Sequence, residues 1–283
     1  MISYAQNYED VILERIFKSV KQGFYVDIGA CHPVYDSVTH HFYLKDWHGI
    51  NIEPQPELFS ELQHNRPRDT NLNVCIGSVN SKQNLYITSD VGTTTLDPTL
   101  AKSYQSSGKV IDEIVVSVIT LNDLWRNNVG ARQVEFLKID VEGLEAEILK
   151  SADFSLVTPQ IIIIEAVHPE TLNPTESGWE HYLKDHYIFF YFDGLNRFYR
   201  RINFHIDEKY CSTPPNIFDN FKTHKEHLLQ QANSHLKEQR KSDLSRIKKL
   251  KNRLLRHQPK TEKLKNKLLA RISKIIAKLR LQR

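Results

Sequence analysis

The chain of 283 residues is long enough for one sizeable α/β domain with an appendage, or for two small domains. Its 40% hydrophobic and 25% charged residues are ordinary for a globular protein, and no apolar run approaches the ~20 residues of a membrane-spanning helix. The net charge of +4 conceals an asymmetry: from residue 235 onward 18 Lys/Arg stand against 3 Asp/Glu, whereas the first 234 residues carry 20 against 31. An acidic front and a basic rear imply two parts with different jobs. No basic segment followed by an apolar stretch opens the chain, so no secretory signal is expected. The three cysteines, Cys31, Cys75 and Cys211, lack metal-type spacing, and reduced thiols in a cytoplasmic protein are the expectation.

In chain order, FYVDIGA (24–30) is a short apolar run closed by Gly29, as a buried parallel strand would be. GINIEP (49–54) repeats the pattern and stops at Pro54, and LNVCIGS (72–78) reads as a third such strand. NLYITSD (84–90) alternates and suits an antiparallel edge. IVVSVITLNDLW (114–125) predicts a strand, a cap at Thr120 or Asn122, then a helix. VEFLKIDVE (134–142) and PQIIIIEAV (159–167) are strands that end at acids. HYIFFYFD (186–193) and RFYRRI (197–202), joined across GLN, predict a terminal hairpin. Strands alternating with helices predict βαβ units and a mostly parallel, Rossmann-like sheet over about residues 20–215. Beyond residue 218 the apolar residues Leu229, Leu236, Leu244, Ile247, Leu250 and Leu254 recur at helical spacing. The pattern resumes at Leu264, Leu268, Ile272, Ile275 and Leu279. Residues 219–283 therefore predict two basic amphipathic helices, broken at Gln258-Pro259, behind an α/β domain spanning 1–218.

Ligands of open α/β sheets bind beyond the carboxyl ends of the strands. Four strand ends here carry suitable side chains. At the first, Gly29 permits a tight turn and close backbone approach, Ala30 follows it, and Asp27 can face a positive or hydrogen-bonding group. At the second, Glu53 can accept both hydroxyls of a ribose. The third ends in Asp140, with Gly143 opening the next helix and Glu142, Glu145 and Glu147 reading as a solvated face. The fourth ends in Glu165, with His168 three residues on. Strands ending in Asp140 and Glu165 can be neighbours, and a histidine of ordinary pKa near ~6.5 can take a proton from a substrate hydroxyl. Cys75, within an apolar run, reads as core rather than nucleophile.

The Gly29–Glu53 pair also suits a dinucleotide. A pyrophosphate turn wants GxGxxG, however, and the loop here is GACHPVYDS, with one glycine before Cys31, His32 and Pro33. An NAD(P)-dependent oxidoreductase is therefore disfavoured against an adenosyl ligand without phosphate.

SYAQNYEDVIL, GFYVDIGACHP, SVTHHFYLKDWHGINIEPQP, FLKIDVEGLEAEIL, GLNRFY and PPNIFDNF, in that order, resemble the FkbM family of S-adenosylmethionine-dependent methyltransferases from about residue 3 to 221. The resemblance implies a class I methyltransferase fold and methyl transfer to a hydroxyl oxygen, in polysaccharide or natural-product chemistry. It implies S-adenosylmethionine as cofactor, with Asp27 and Gly29 in its loop, Glu53 on its ribose and Asp140 as the acid after the fourth strand. The loop departs from part of the family at Cys31-His32-Pro33. Gln6, Ser37 and Thr39 match family positions without an assigned role.

The reading that follows is an O-methyltransferase of a sugar hydroxyl on a bacterial polysaccharide or glycolipid, or of a small natural product. Asp140, Glu165 and His168 are the catalytic candidates. Asp27, Gly29, Ala30, Glu53 and Asp140 are the cofactor candidates, and Asp140 with Glu165 could hold Mg²⁺. A nucleic-acid methyltransferase is disfavoured, because the catalytic part is acidic and Thr213-Pro214-Pro215-Asn216 has the wrong flanks for a (D/N)PP(Y/F/W) motif. The expected location is cytoplasmic, with the tail (219–283) contacting an anionic inner-membrane surface or a helical glycan-synthesis partner.

Overall fold

The computed structural model describes residues 1–90, 92–168, 171, 173–256 and 262–281. The chain divides into two compact units, Met1–Phe221 and Lys222–Arg283.

The first unit runs β1 (Ile2–Ser3), α1 (Glu9–Phe17), β2 (Phe24–Ile28), α2 (His40–Leu44), β3 (His48–Ile52), α3 (Pro56–Asn65) and β4 (Thr70–Leu72). It continues with β5 (Cys75–Gly77), β6 (Ser81–Thr88), α4 (Pro98–Ser106), β7 (Val110–Thr120), α5 (Leu121–Leu124), β8 (Phe136–Ile139) and α6 (Glu145–Ser151). β9 (Ile161–Glu165), β10 (Tyr187–Phe192), β11 (Asn196–Arg201) and α7 (Glu208–Cys211) complete it. Seven strands form one sheet in the order β10-β11-β9-β8-β2-β3-β4. β4, β3, β2, β8 and β9 are parallel, and β11 pairs antiparallel with both β9 and β10. The predicted terminal hairpin is therefore present. Strand order reverses beside β2, since the chain crosses first to β3 and β4 and later to β8 and β9. That reversal opens a crevice between the ends of β2 and β8.

The period-2 alternation of each strand feeds two cores. Val26, Ile28, Ile50, Ile52, Leu137, Ile139, Ile162 and Ile164 face one side, packed with Leu121, Trp125 and Ile148. Tyr25, Phe136, Ile161, Ile163 and Phe198 face the other, beneath Ile12, Leu13, Phe17, Phe42 and Trp47. Each such fully buried aliphatic side chain contributes about 1.5–3 kcal/mol. Alternation also decides where the polar residues go: Asp27, Lys138 and Glu165 fall on the same face as Tyr25, Phe136 and Ile163.

The structure corrects the sequence reading in two places. The run 72–78 is not one strand. Asn73 donates its side-chain amide to the Glu53 and Pro54 carbonyls at 2.9 Å each, and the chain turns there into a second sheet. That sheet has the order β5-β7-β6, and the expected antiparallel edge is found in it: β6, which holds residues 84–88, pairs antiparallel with β7 at the border of the sheet. Finally, α6 begins at Glu145, and Gly143 belongs to the turn before it, with φ +105°. Thr120, by contrast, does cap α5, its hydroxyl accepting the Asp123 N–H at 3.1 Å.

The second unit holds two helices, α8 (His224–Arg256) and α9 (Glu262–Leu281), packed on each other. Ile247 and Ile272 are buried there. The predicted break at Gln258-Pro259 lies outside the described residues. No described helix is long and apolar enough to cross a membrane.

Candidate functional site

The crevice at the switch point carries the pocket, and Gly29 shapes its floor. Gly29 sits at φ +80°, and a Cβ added there would lie 1.9 Å from the Asp140 carbonyl oxygen. Only a residue without a side chain allows the ends of β2 and β8 to approach so closely. The turn is fixed by the Gly29 and Ala30 N–H groups, which donate to the Ile52 carbonyl at 3.1 and 3.0 Å. Cys31 follows in the left-handed region at φ +52°.

Glu53, just past β3, braces this turn. Its Oε2 accepts the Cys31 N–H at 2.8 Å and its Oε1 accepts the Gln55 N–H at 2.9 Å. Each oxygen keeps one acceptor position for a ligand in the pocket it lines. Burial pushes the Glu53 carboxyl up to about 7, against the two N–H bonds that favour its charged form.

Asp27 is fully buried. Its Oδ2 accepts the Thr39 hydroxyl at 3.1 Å, while its Oδ1 is buried with no hydrogen-bond partner among the described residues. Burial raises its pKa, and the Lys138 charge works against that rise. An orphaned carboxylate oxygen inside a protein is costly, and it is suited to meeting a cationic or donating ligand.

Lys138 is the one described ammonium of this cluster. It is buried, and its Nζ donates to Asp140 Oδ2 at 2.9 Å. Burial alone would lower its pKa, but the charges of Asp140 and Asp27 outweigh this and raise it, so it stays charged. Beyond Asp140 the chain turns through Glu142 at φ +54°, pinned by the Thr95 hydroxyl on the Glu142 carbonyl at 2.9 Å. Glu145 is buried, and its Oε1 accepts the Val141 and Gly143 N–H groups at 3.1 and 3.3 Å. Of the three acids expected on a solvated face, then, Glu145 is a structural brace and Glu142 a site residue. Only Glu147 is exposed.

Ile139 pairs with Ile164 in register, so β8 and β9 deliver Asp140 and Glu165 side by side. One carboxylate oxygen each from Asp140, Glu142 and Glu165 lies within 4.8 Å of the others. Burial first, and then the charge of Asp140, raises the pKa of both Glu142 and Glu165 well above the ordinary carboxylate range. His168 is exposed in the loop after β9 and belongs neither to the pocket lining nor to the acid cluster.

The remaining wall comes from the second sheet and its loop. Cys75, Ile76, Leu85, Thr94 and Leu96 line the pocket opposite Gly29 and Glu53. Cys75 thus serves as pocket wall as well as core, and burial raises its thiol to about 12, far from a nucleophile's range. The carboxyl groups of Asp27, Glu53, Asp140, Glu142 and Glu165 all interact electrostatically with the Lys138 ammonium; Glu53, Asp140 and Glu142 line the pocket, whereas Asp27 and Glu165 lie outside its lining. Sequence reasoning missed Lys138 and Glu142. Lys138 is detectable in principle, since period 2 puts it on the same face as Asp140. Glu142 is not, because its place depends on a left-handed turn.

Among solved structures, the chain resembles a Clostridium thermocellum protein provisionally described as an rRNA-methylase. The two share 12% identity and a TM-score of 0.36, over 72% of this chain and 99% of that one. No curated protein matches the sequence. The model of the methyltransferase FkbM domain matches residues 27–204, from the first strand-end acid to just beyond the terminal hairpin. With the greater part of its length matched in this way, the chain belongs to the FkbM methyltransferase family.

Proposed function

We propose that this methyltransferase uses S-adenosylmethionine to methylate a hydroxyl oxygen of a sugar in a glycan or glycolipid. The family implies S-adenosylmethionine generally. The observation that carries the cofactor reading is the excess of acids at this end of the sheet: Asp27, Glu53, Asp140, Glu142 and Glu165 lie near one ammonium, that of Lys138, and burial disfavours the charged form of four of them, which a cationic ligand would favour. The orphaned Oδ1 of Asp27 supplies a partner for such a ligand, and the Glu53 carboxylate suits a ribose diol. The loop offers no second glycine to clear room for phosphates, which separates this pocket from a dinucleotide site.

In the transfer, the acceptor oxygen bonds to the methyl carbon as the carbon–sulfur bond breaks, leaving a neutral thioether. The hydroxyl proton would pass to a carboxylate of the Asp140–Glu142–Glu165 cluster; burial raises Glu142 to about 8, so its ionised form is a stronger base than an ordinary carboxylate. His168 is a weaker candidate for this step, since it stands outside the cluster. A sugar acceptor fits because a polar, acid-lined mouth can hydrogen-bond several hydroxyls.

A second reading is favoured by the convergence of three carboxylates: Asp140, Glu142 and Glu165 could hold Mg²⁺, which prefers carboxylate oxygen. The test is transfer of labelled methyl from S-adenosylmethionine to glycan and glycolipid extracts, with Asp140→Asn alongside. We expect that variant to bind cofactor and to lose about 10²–10⁴ in turnover, the range for a positioned proton-transfer group. Loss of activity with a chelator and recovery with Mg²⁺ supports the metal reading; indifference supports carboxylate base catalysis. Near wild-type turnover by Asp140→Asn refutes both.

A further inference from the structure

We propose that the α8–α9 unit is a docking surface for an anionic phospholipid bilayer. Its chemistry is legible in how the two helices divide their apolar residues. Ile247 on α8 and Ile272 on α9 are buried, with Leu250, Leu254, Leu268, Ile275 and Ile276 half-buried around them. This stripe is consumed in packing one helix on the other. A second set of leucines lies outside it: Leu244 is 52% exposed, Leu264 51%, Leu236 44% and Leu269 43%.

These exposed leucines are framed by cations. On an α-helix, residues three, four and seven apart share a face. Leu244 therefore stands among Lys237, Lys241, Lys248 and Lys251, all of them exposed. Leu264 stands beside Lys267 and Arg271 in the same way. A leucine ringed by long basic side chains is built for a lipid interface: the apolar group enters the acyl boundary while the ammonium groups reach anionic headgroups.

The occupant follows from charge and from the type of apolar residue. With 18 Lys/Arg against 3 Asp/Glu from residue 235, the partner must be anionic, and a second copy of these helices would be repelled. Nucleic acid satisfies the charge but leaves the leucines without a role, and residues 222–283 contain no Phe, Tyr or Trp to stack on bases. A bilayer uses both features. It would be held from its surface, since no described helix can span it.

The test is cosedimentation of the full-length protein with phosphatidylcholine vesicles, with and without phosphatidylglycerol. We expect binding only when phosphatidylglycerol is present, falling steeply from low to physiological salt. Replacing Lys237, Lys241, Lys248 and Lys251 together by Gln should lower partitioning by about 10²-fold or more at low salt. Leu244→Ser with Leu264→Ser should lower it about tenfold while leaving the salt dependence in place. Both leucines are half-exposed, and circular dichroism checks that the helices persist. Absence of binding, equal binding to neutral vesicles, or indifference to the leucine substitutions overturns the proposal. So does a nucleic-acid duplex that the leucine variants bind as tightly as wild type, or tail-dependent self-association without vesicle binding.

Discussion

Replacing Glu53 by Gln tests the pocket's chemistry at one atom. The carboxylate serves two backbone donors at once, Cys31 N–H at 2.8 Å and Gln55 N–H at 2.9 Å, on different oxygens. An amide has only one acceptor oxygen, so one of those N–H groups must face an NH₂. Leaving a buried donor unpaired costs about 1–3 kcal/mol, which we expect as a loss of stability in urea. Cofactor affinity should fall by a further ~1.5–3 kcal/mol, about 10- to 150-fold, because charge-assisted bonds to the ribose are lost.

The pH dependence sharpens this test. Burial raises the Glu53 carboxyl to about 7 from the ordinary 4.5. A raised carboxylate means the folded protein holds this proton more tightly than the unfolded chain. Its contribution to stability is therefore full below about 4.5 and is lost as pH rises to about 7. A ligand that needs the ionised form must displace the proton, so affinity should climb up to tenfold per pH unit below about 7 and level off above it. Calorimetry on wild type and Glu53→Gln between pH 5.5 and 8 measures both effects. Unchanged affinity in a folded variant, or a variant that keeps the wild-type pH slope, refutes the role given to Glu53.

Three further outcomes follow from the structure. Gly29→Ala should abolish cofactor binding and destabilise the fold by at least the ~1–2 kcal/mol of a left-handed non-glycine residue, because its Cβ would fall 1.9 Å from the Asp140 carbonyl; normal affinity by calorimetry would contradict the close approach of β2 and β8. Lys138→Met removes the ammonium 2.9 Å from Asp140, whose side chain is 29% exposed, and should cost about 1.5–3 kcal/mol in chemical denaturation, the range for a hydrogen bond to a charged group; a loss below about 0.5 kcal/mol would show the pair to be solvated. Asp243 is buried in α8, its Oδ1 3.9 Å from Arg246 and its Oδ2 without a hydrogen-bond partner among the described residues, so Asp243→Leu should stabilise the helical unit by about 1–3 kcal/mol, seen as a higher melting temperature by circular dichroism, and a lower one would show that the Arg246 pair outweighs the orphaned oxygen.

Four of the five parallel strands, β2, β3, β8 and β9, and the hairpin are legible in the sequence because a strand covered on both faces must be nearly all apolar, as IIII in β9 is. The run at 72–78 is apolar at Leu72, Val74, Cys75 and Ile76, yet it divides between two sheets. The divider is the polar contact of Asn73 with the Glu53 and Pro54 carbonyls, which no periodicity records. The candidate site shows the same division. Asp27, Gly29, Glu53, Asp140 and Glu165 stand at strand ends, where fold logic puts ligand groups. Glu142 reaches the acid cluster only through its positive φ, and Glu145 turns inward to accept two N–H groups. Both are invisible to a rule that reads runs of glutamate as solvated. His168 is a reasonable base by spacing, but the loop that carries it leads out to solvent.

The most direct test of the central claim is calorimetric titration of the purified chain with S-adenosylmethionine, S-adenosylhomocysteine and NAD⁺. One site per chain is expected for both adenosyl compounds, with competition between them and no heat with NAD⁺. Binding of NAD⁺, or no binding of either adenosyl ligand by folded protein, would contradict it.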